Sequence, residues 1–140
     1  DLDLLRASFE VTGSDLSTAF LDLYRQKRPD ADLLHLDVVT LETDRRFAAL
    51  YSNKVLHHLP RAAMLDSLIR QREILVDRGV VLHSFWYGEQ DGEEHAGLLF
   101  THYTEPQLEA AFGGGYEIVE MERYEEMNTD DSVYVVARKA

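Results

Sequence analysis

Apolar residues occur in short runs whose period changes along the chain, and those changes mark the predicted elements. Leu2, Leu4 and Leu5 read as the last turns of an amphipathic helix, and Phe9 to Asp15 as a short strand. Ser17 opens a helix through about Lys27, with Leu16, Ala19, Phe20, Leu23 and Tyr24 at helical spacing and Pro29 as the stop. Ala31 to Val38 predicts a second strand, Thr40 to Arg46 a polar connection, and Phe47 to Tyr51 a third strand. That third strand stops at Ser52 and Asn53 and turns towards a helix.

Pro60 suits a first helical turn, and Ala63, Met64, Leu68, Ile69, Arg72 and Leu75 trace one face of a helix. Asp77-Arg78-Gly79 reads as a turn, and Val80 to Trp86 as a continuous apolar strand. Tyr87 to Leu99 is an acidic, glycine-bearing loop, which suits either a solvated connection or a substrate lid. Thr104 with Gln107 predicts a capping box for a helix through about Phe112, closed by Gly113-Gly114-Gly115. Tyr116 to Tyr124 and Val133 to Arg138 form a hairpin pattern around a turn at Asn128 to Asp131.

Strands alternating with helices predict an α/β domain with a mostly parallel sheet and a C-terminal antiparallel hairpin. Neither a linker nor a repeat divides the 140 residues, so one domain is expected. The sequence contains no cysteine, which excludes disulfides and thiolate metal sites. No apolar run approaches the ~20 residues of a membrane span, so a cytoplasmic location is the default and a membrane partner is not expected. The formal charge of −12 argues against nucleic acid, whose affinity rests on basic neutralisation. Arg25, Lys27 and Arg28 cluster where they complement a helix C-terminus.

Candidate chemistry gathers where strands end, because ligands of open α/β sheets sit beyond their carboxyl ends. Asp15 closes the first strand and Asp37 the second. Taken singly, each suits a turn or helix cap as well as a ligand contact. His57, His58, His83 and His102 are possible bases, with Tyr51, Trp86, Tyr87 and Tyr103 as aromatic walls for a cationic group. His58 and His83 border apolar runs and suit hydrogen-bonded core positions better. The histidines lack the tight spacing of metal ligands, so no metal site is expected.

Val11-Thr12-Gly13-Ser14-Asp15-Leu16-Ser17 resembles the V-x-G-x-D-x-S motif of class I S-adenosylmethionine-dependent methyltransferases. Phe47 to Leu59 resembles that family's F-D-x-I-x-S-x-x-V-L-H-H-L segment, and Ile74 to Val81 its L-x-P-G-G-x-L segment. Phe100 to Leu108 is similar to its Y-x-T-x-x-x-L helix start. These pieces follow in the family's order across essentially the whole chain. The resemblance implies a Rossmann-like sheet and S-adenosylmethionine as cofactor. It further implies Asp15 as ribose binder, Leu16 as adenine wall, Asp37 as adenine partner, and Ser52 and Asn53 on the methionine side. His57 falls where the family's ligand-facing helix begins, and His57 and His102 are the candidate catalytic bases. The implied activity is methyl transfer to a small molecule.

Two departures accompany the resemblance. Asp77-Arg78-Gly79 stands where the family has Pro-Gly-Gly, and the D-x-G-x-G-x-G loop with its strand is absent. Those glycines allow close backbone approach to the methionine part. The missing strand is central in the family, so its absence leaves backbone groups of two neighbours unpaired. Three expectations follow: residues precede Asp1, the gap closes, or a second copy completes the sheet as a homodimer. The competing function is a catalytically silent remnant that serves as an interaction module.

Overall fold

A computed structural model describes residues 1–90 and 92–140. Asp91, which falls in the predicted acidic loop, lies outside the described residues. The residues group into two compact units, Asp1–Thr43 and Asp44–Ala140.

The first unit holds α1 (Leu2–Arg6), β1 (Thr12–Asp15), α2 (Thr18–Lys27) and β2 (Asp32–His35). β1 and β2 pair in parallel, from Thr12 opposite Asp32 to Asp15 opposite His35. The absence of a side chain at Gly13 is structural. A Cβ there would lie 2.8 Å from Leu2 and 2.9 Å from Leu33, so glycine lets both leucines close over β1. Ser17 caps α2 by accepting from the Phe20 N–H at 3.3 Å. The predicted apolar stripe of α2 is corrected: Leu21 is buried, while Leu16, Phe20 and Leu23 are exposed. A two-stranded sheet, with strands about 4.8 Å apart, offers a narrow surface that few helix side chains can occupy.

The second unit holds β3 (Phe47–Asn53), a 3-10 turn (Leu56–His58), α3 (Arg61–Ile74), β4 (Leu75–Tyr87), β5 (Glu93–His95), β6 (Leu98–Phe100), β7 (His102–Tyr103), α4 (Glu105–Phe112), β8 (Tyr116–Tyr124) and β9 (Ser132–Lys139). Its main sheet runs β3-β4-β9-β8, with β7 paired to the end of β4. β3 and β7 lie parallel to β4, and β9 and β8 follow antiparallel. The mixed α/β architecture with a C-terminal antiparallel hairpin thus agrees with the sequence pattern. Among the described residues, β1 has β2 as its strand partner and β3 has β4.

Val81 and Phe85 of β4 and Val133, Val135 and Ala137 of β9 point to one buried face. That core includes Met64, Leu68 and Ile74 of α3 and Leu108 and Phe112 of α4. Thr104 and Gln107 form the predicted capping box of α4. The predicted Asp77-Arg78-Gly79 turn lies inside β4 as a bulge, between the pairs Phe47–Leu75 and Ala49–Val80, with Arg78 at φ 62°.

Two further expectations need correction. The buried row of α3 runs Met64, Ser67, Leu68, Gln71, Ile74, whereas Ile69 is exposed. The polar residues are admitted because they bond one another and His83. The acidic loop contains the β5–β6 hairpin, turned by Ala96 at φ 52° and Gly97 at φ 80°. Two successive positive φ angles suit the twist of a two-residue hairpin.

Candidate functional site

In the first unit, both candidate carboxylates stand at one end of a parallel pair. Asp15 is the last residue of β1, and Asp37 follows β2 by two residues. Each closes a local turn: Asp15 Oδ1 accepts from the Ser17 N–H at 2.8 Å, and Asp37 Oδ1 from the Val39 N–H at 2.7 Å. These turns orient the carboxylates, because an Asp side chain readily bonds a backbone N–H two residues on. Asp15 is exposed, Asp37 half-buried, and Leu16 is 62% exposed. His35 bonds through Nε2 to the Leu16 carbonyl at 2.8 Å, a tether no sequence pattern pointed to.

In the second unit, Ser52 and Asn53 end β3 and serve different partners. Ser52 Oγ lies 2.6 Å from His83 Nδ1, while Asn53 Oδ1 accepts from Ser84 Oγ at 2.5 Å. Asn53 and Tyr51 line an open concavity of about 440 Å³ with Ser84, Glu120, Tyr124 and Tyr134.

Lys54, absent from the sequence-based candidates, follows directly at φ 54°. Its ammonium lies 2.6 Å from Glu126 Oε2, 2.9 Å from Ser132 Oγ, and 3.6 Å above the Trp86 ring. Three of the proposed aromatic walls are therefore occupied by the protein's own cations. Lys54 covers Trp86, Arg123 lies 3.9 Å over Tyr87, and Arg61 lies 4.6 Å over Tyr103. Lysine and arginine occur too commonly near aromatics for sequence alone to foresee these pairs.

The segment 99–103 is fastened to the 3-10 turn. The Thr101 N–H donates to the His57 carbonyl at 2.9 Å, and His58 Nδ1 bonds the Leu99 carbonyl at 2.8 Å. His57 is buried against His58, Phe100 and Trp86. Burial, with the nearby His58, pushes its pKa down to about 4, against a bond to the Lys54 carbonyl. His102 is half-buried, and burial holds its pKa below the usual imidazole range. Nδ1 of His57 and Nδ1 of His102 are buried and have no hydrogen-bond partner among the described residues. Arg61 Nη2 donates to the His102 carbonyl at 2.9 Å and so anchors that strand.

His83 is the hydrogen-bonded core histidine its flanking residues suggested, and burial pushes its pKa down to about 3. His57 and His83 are thus neutral in the folded chain, whereas in the unfolded chain they protonate near pH 6.5. Their contribution to stability is complete above about pH 6.5 and is lost as pH falls towards about 4 and about 3 respectively. Thermal unfolding followed from pH 7 to pH 4 should show a falling Tm, less steeply in a folded His83→Gln variant. Equal slopes in the two proteins would contradict the assignment. No cluster of three metal-ligating side chains occurs among the described residues.

No family model matches the sequence, and no curated protein matches it significantly. Solved structures do match. The chain aligns over 99% of its length with the 1,6-didemethyltoxoflavin-N1-methyltransferase of Burkholderia thailandensis, at TM-score 0.79 and 23% identity. It spans 64% of that protein. The glycopeptide N-methyltransferase MtfA gives TM-score 0.79 and 17% identity over 99% of this chain and 81% of its own. CalS10, an amino pentose methyltransferase from Micromonospora echinaspora, gives 0.76 and 20% over 99% and 78%. No helix of the described residues is long and apolar enough to cross a membrane. The chain has the Rossmann-like fold of the class I S-adenosylmethionine-dependent methyltransferases.

Proposed function

We propose that this protein transfers a methyl group from S-adenosylmethionine to a nucleophile on a small molecule. The observation that carries the reading is the pair Asp15 and Asp37, turned into place at the same end of β1 and β2. Their chemistry fits adenosine: Asp15 accepts from the ribose hydroxyls and Asp37 from the adenine amino group. Leu16, 62% exposed, supplies an apolar wall. When bound, S-adenosylmethionine supplies an electrophilic methyl carbon and a thioether leaving group.

The structural neighbours are named for methyl transfer to 1,6-didemethyltoxoflavin, a glycopeptide and an amino pentose, two of them at nitrogen. Those names support a nitrogen nucleophile here. His102 is assigned as the base, because its Nδ1 lacks a partner among the described residues and its lowered pKa keeps it neutral at pH 7. It would take the proton that the nitrogen gives up. His57, enclosed by three aromatic rings, is assigned to holding the segment 99–103. Calorimetric titration with S-adenosylhomocysteine tests the reading: saturating heat is expected, and no heat at high micromolar concentration would defeat it.

A second reading is a module that pairs with a second copy. It is favoured by β3, a seven-residue strand at the end of its sheet, without charge, proline or glycine. Such edges invite pairing with another chain. Sedimentation should then show a dimer, and a monomer throughout would remove this reading.

A further inference from the structure

We infer that the open face of the second unit's sheet carries a binding site for an organic cation, an ammonium group on a small apolar body. The site is the concavity of about 440 Å³ that Glu120, Tyr124 and Tyr134 line together with Leu82 and Val136. Strand register assembles it. Leu82, Val136 and Glu120 stand opposite one another on β4, β9 and β8, and Ser84, Tyr134 and Glu122 form the next row. Opposed residues share a face of a sheet, and successive residues alternate between its faces. These rows therefore face away from the core side, where Val81, Val135 and Ala137 are buried.

The lining combines aromatic faces, unpaired negative charge and an apolar floor. The Tyr124 and Tyr134 rings stand 6.0 Å apart and tilted by 50°, and the faces of such rings attract an ammonium. The Tyr134 hydroxyl donates to Glu122 Oε2 at 3.4 Å, which leaves its oxygen lone pairs for a donor. Burial and the bonds with Glu120 and Glu122 push that phenol up to about 12, so it stays protonated in neutral solution. Among the described residues, neither Glu120 nor Glu122 has an ion-pair partner. Lys54 shows the same recipe already filled beside the concavity. Its ammonium lies 3.6 Å above the Trp86 ring and 5.4 Å from that of Tyr124, with Glu126 at 2.6 Å. Glu126 neutralises Lys54, so the charge of Glu120 and Glu122 is left for a further cation. An edge strand charged only against aggregation would need the carboxylates but not the paired rings.

Tyrosine ring resonances followed during titration at constant ionic strength test the inference without S-adenosylhomocysteine, and so independently of the proposed function. The probes are choline and the neutral alcohol of the same shape in which carbon replaces the charged nitrogen. Choline should shift Tyr124 and Tyr134 saturably and bind roughly tenfold tighter than the alcohol, about the worth of two exposed ring contacts. Tyr124→Leu should cost roughly two- to fivefold in choline affinity, whereas Tyr124→Phe, which keeps the ring, should cost little. Glu120→Gln changes an exposed side chain and leaves the hairpin intact. It should weaken choline and leave the alcohol unaffected. Equal binding of the two compounds, or shifts that never saturate, would overturn the inference. Unchanged choline affinity in Glu120→Gln or Tyr124→Leu would do the same, leaving the two glutamates as edge protection alone.

Discussion

Asp15→Ala should weaken S-adenosylhomocysteine binding by about 1.5–3 kcal/mol, the range for hydrogen bonds to a charged group. That corresponds to roughly 10- to 150-fold in Kd. The carboxylate is exposed, and one oxygen closes a turn on the Ser17 N–H. Removing it costs the fold little, because water can replace the turn bond. Asp15→Asn separates the two roles, since an amide oxygen still closes the turn but carries no charge. Weakened binding with an unchanged melting temperature in both variants is the expected result. Unchanged affinity would show that the ribose assignment is wrong.

Phe85→Ala should cost about 3–5 kcal/mol of stability, the usual range for removing a buried aromatic ring. Phe85 is fully buried on β4, with its ring centroid 5.1 Å from that of Tyr103 in an edge-on arrangement. Tyr103 in turn follows His102 in β7. The cavity would therefore open beneath the segment that carries the proposed base. Denaturant unfolding should show the loss as a lower midpoint with little change in slope. A loss below about 1 kcal/mol would mean that the core repacks around the vacancy.

How far the fold was legible depended on whether the governing interactions were local. The capping box at Thr104 and Gln107 and the Asp15 and Asp37 turns lie within a few residues, and the pattern carried them. Which face of a helix is buried is a tertiary matter. Ser67 and Gln71 look like solvent-facing residues until His83, from a neighbouring strand, gives them a partner. The apolar spacing of Leu16, Phe20 and Leu23 promised a covered face, yet Leu21 is the buried residue of α2. The β5–β6 hairpin was hidden because its turn uses Ala96 before Gly97, and alanine at positive φ carries no turn signal.

Sequence alone supplies the chain positions of the candidate side chains but not their partners. Asp15 ends β1, Asp37 follows β2 by two residues and His102 opens β7, whereas His57 and His58 lie in the 3-10 turn and His83 lies inside β4. The cations were not foreseen: Lys54, Arg61 and Arg123 reach Trp86, Tyr103 and Tyr87 across the fold. Aromatic residues that suit a cationic ligand suit an internal lysine or arginine equally well.

The central claim is that carboxylates beyond two neighbouring strands receive an adenosine. Backbone amide resonances followed during titration with S-adenosylhomocysteine test it most directly. The account predicts saturable shifts at Asp15, Leu16 and Asp37. Resonances of these residues that stay fixed up to roughly 1 mM ligand, the weak limit of specific binding, would contradict it.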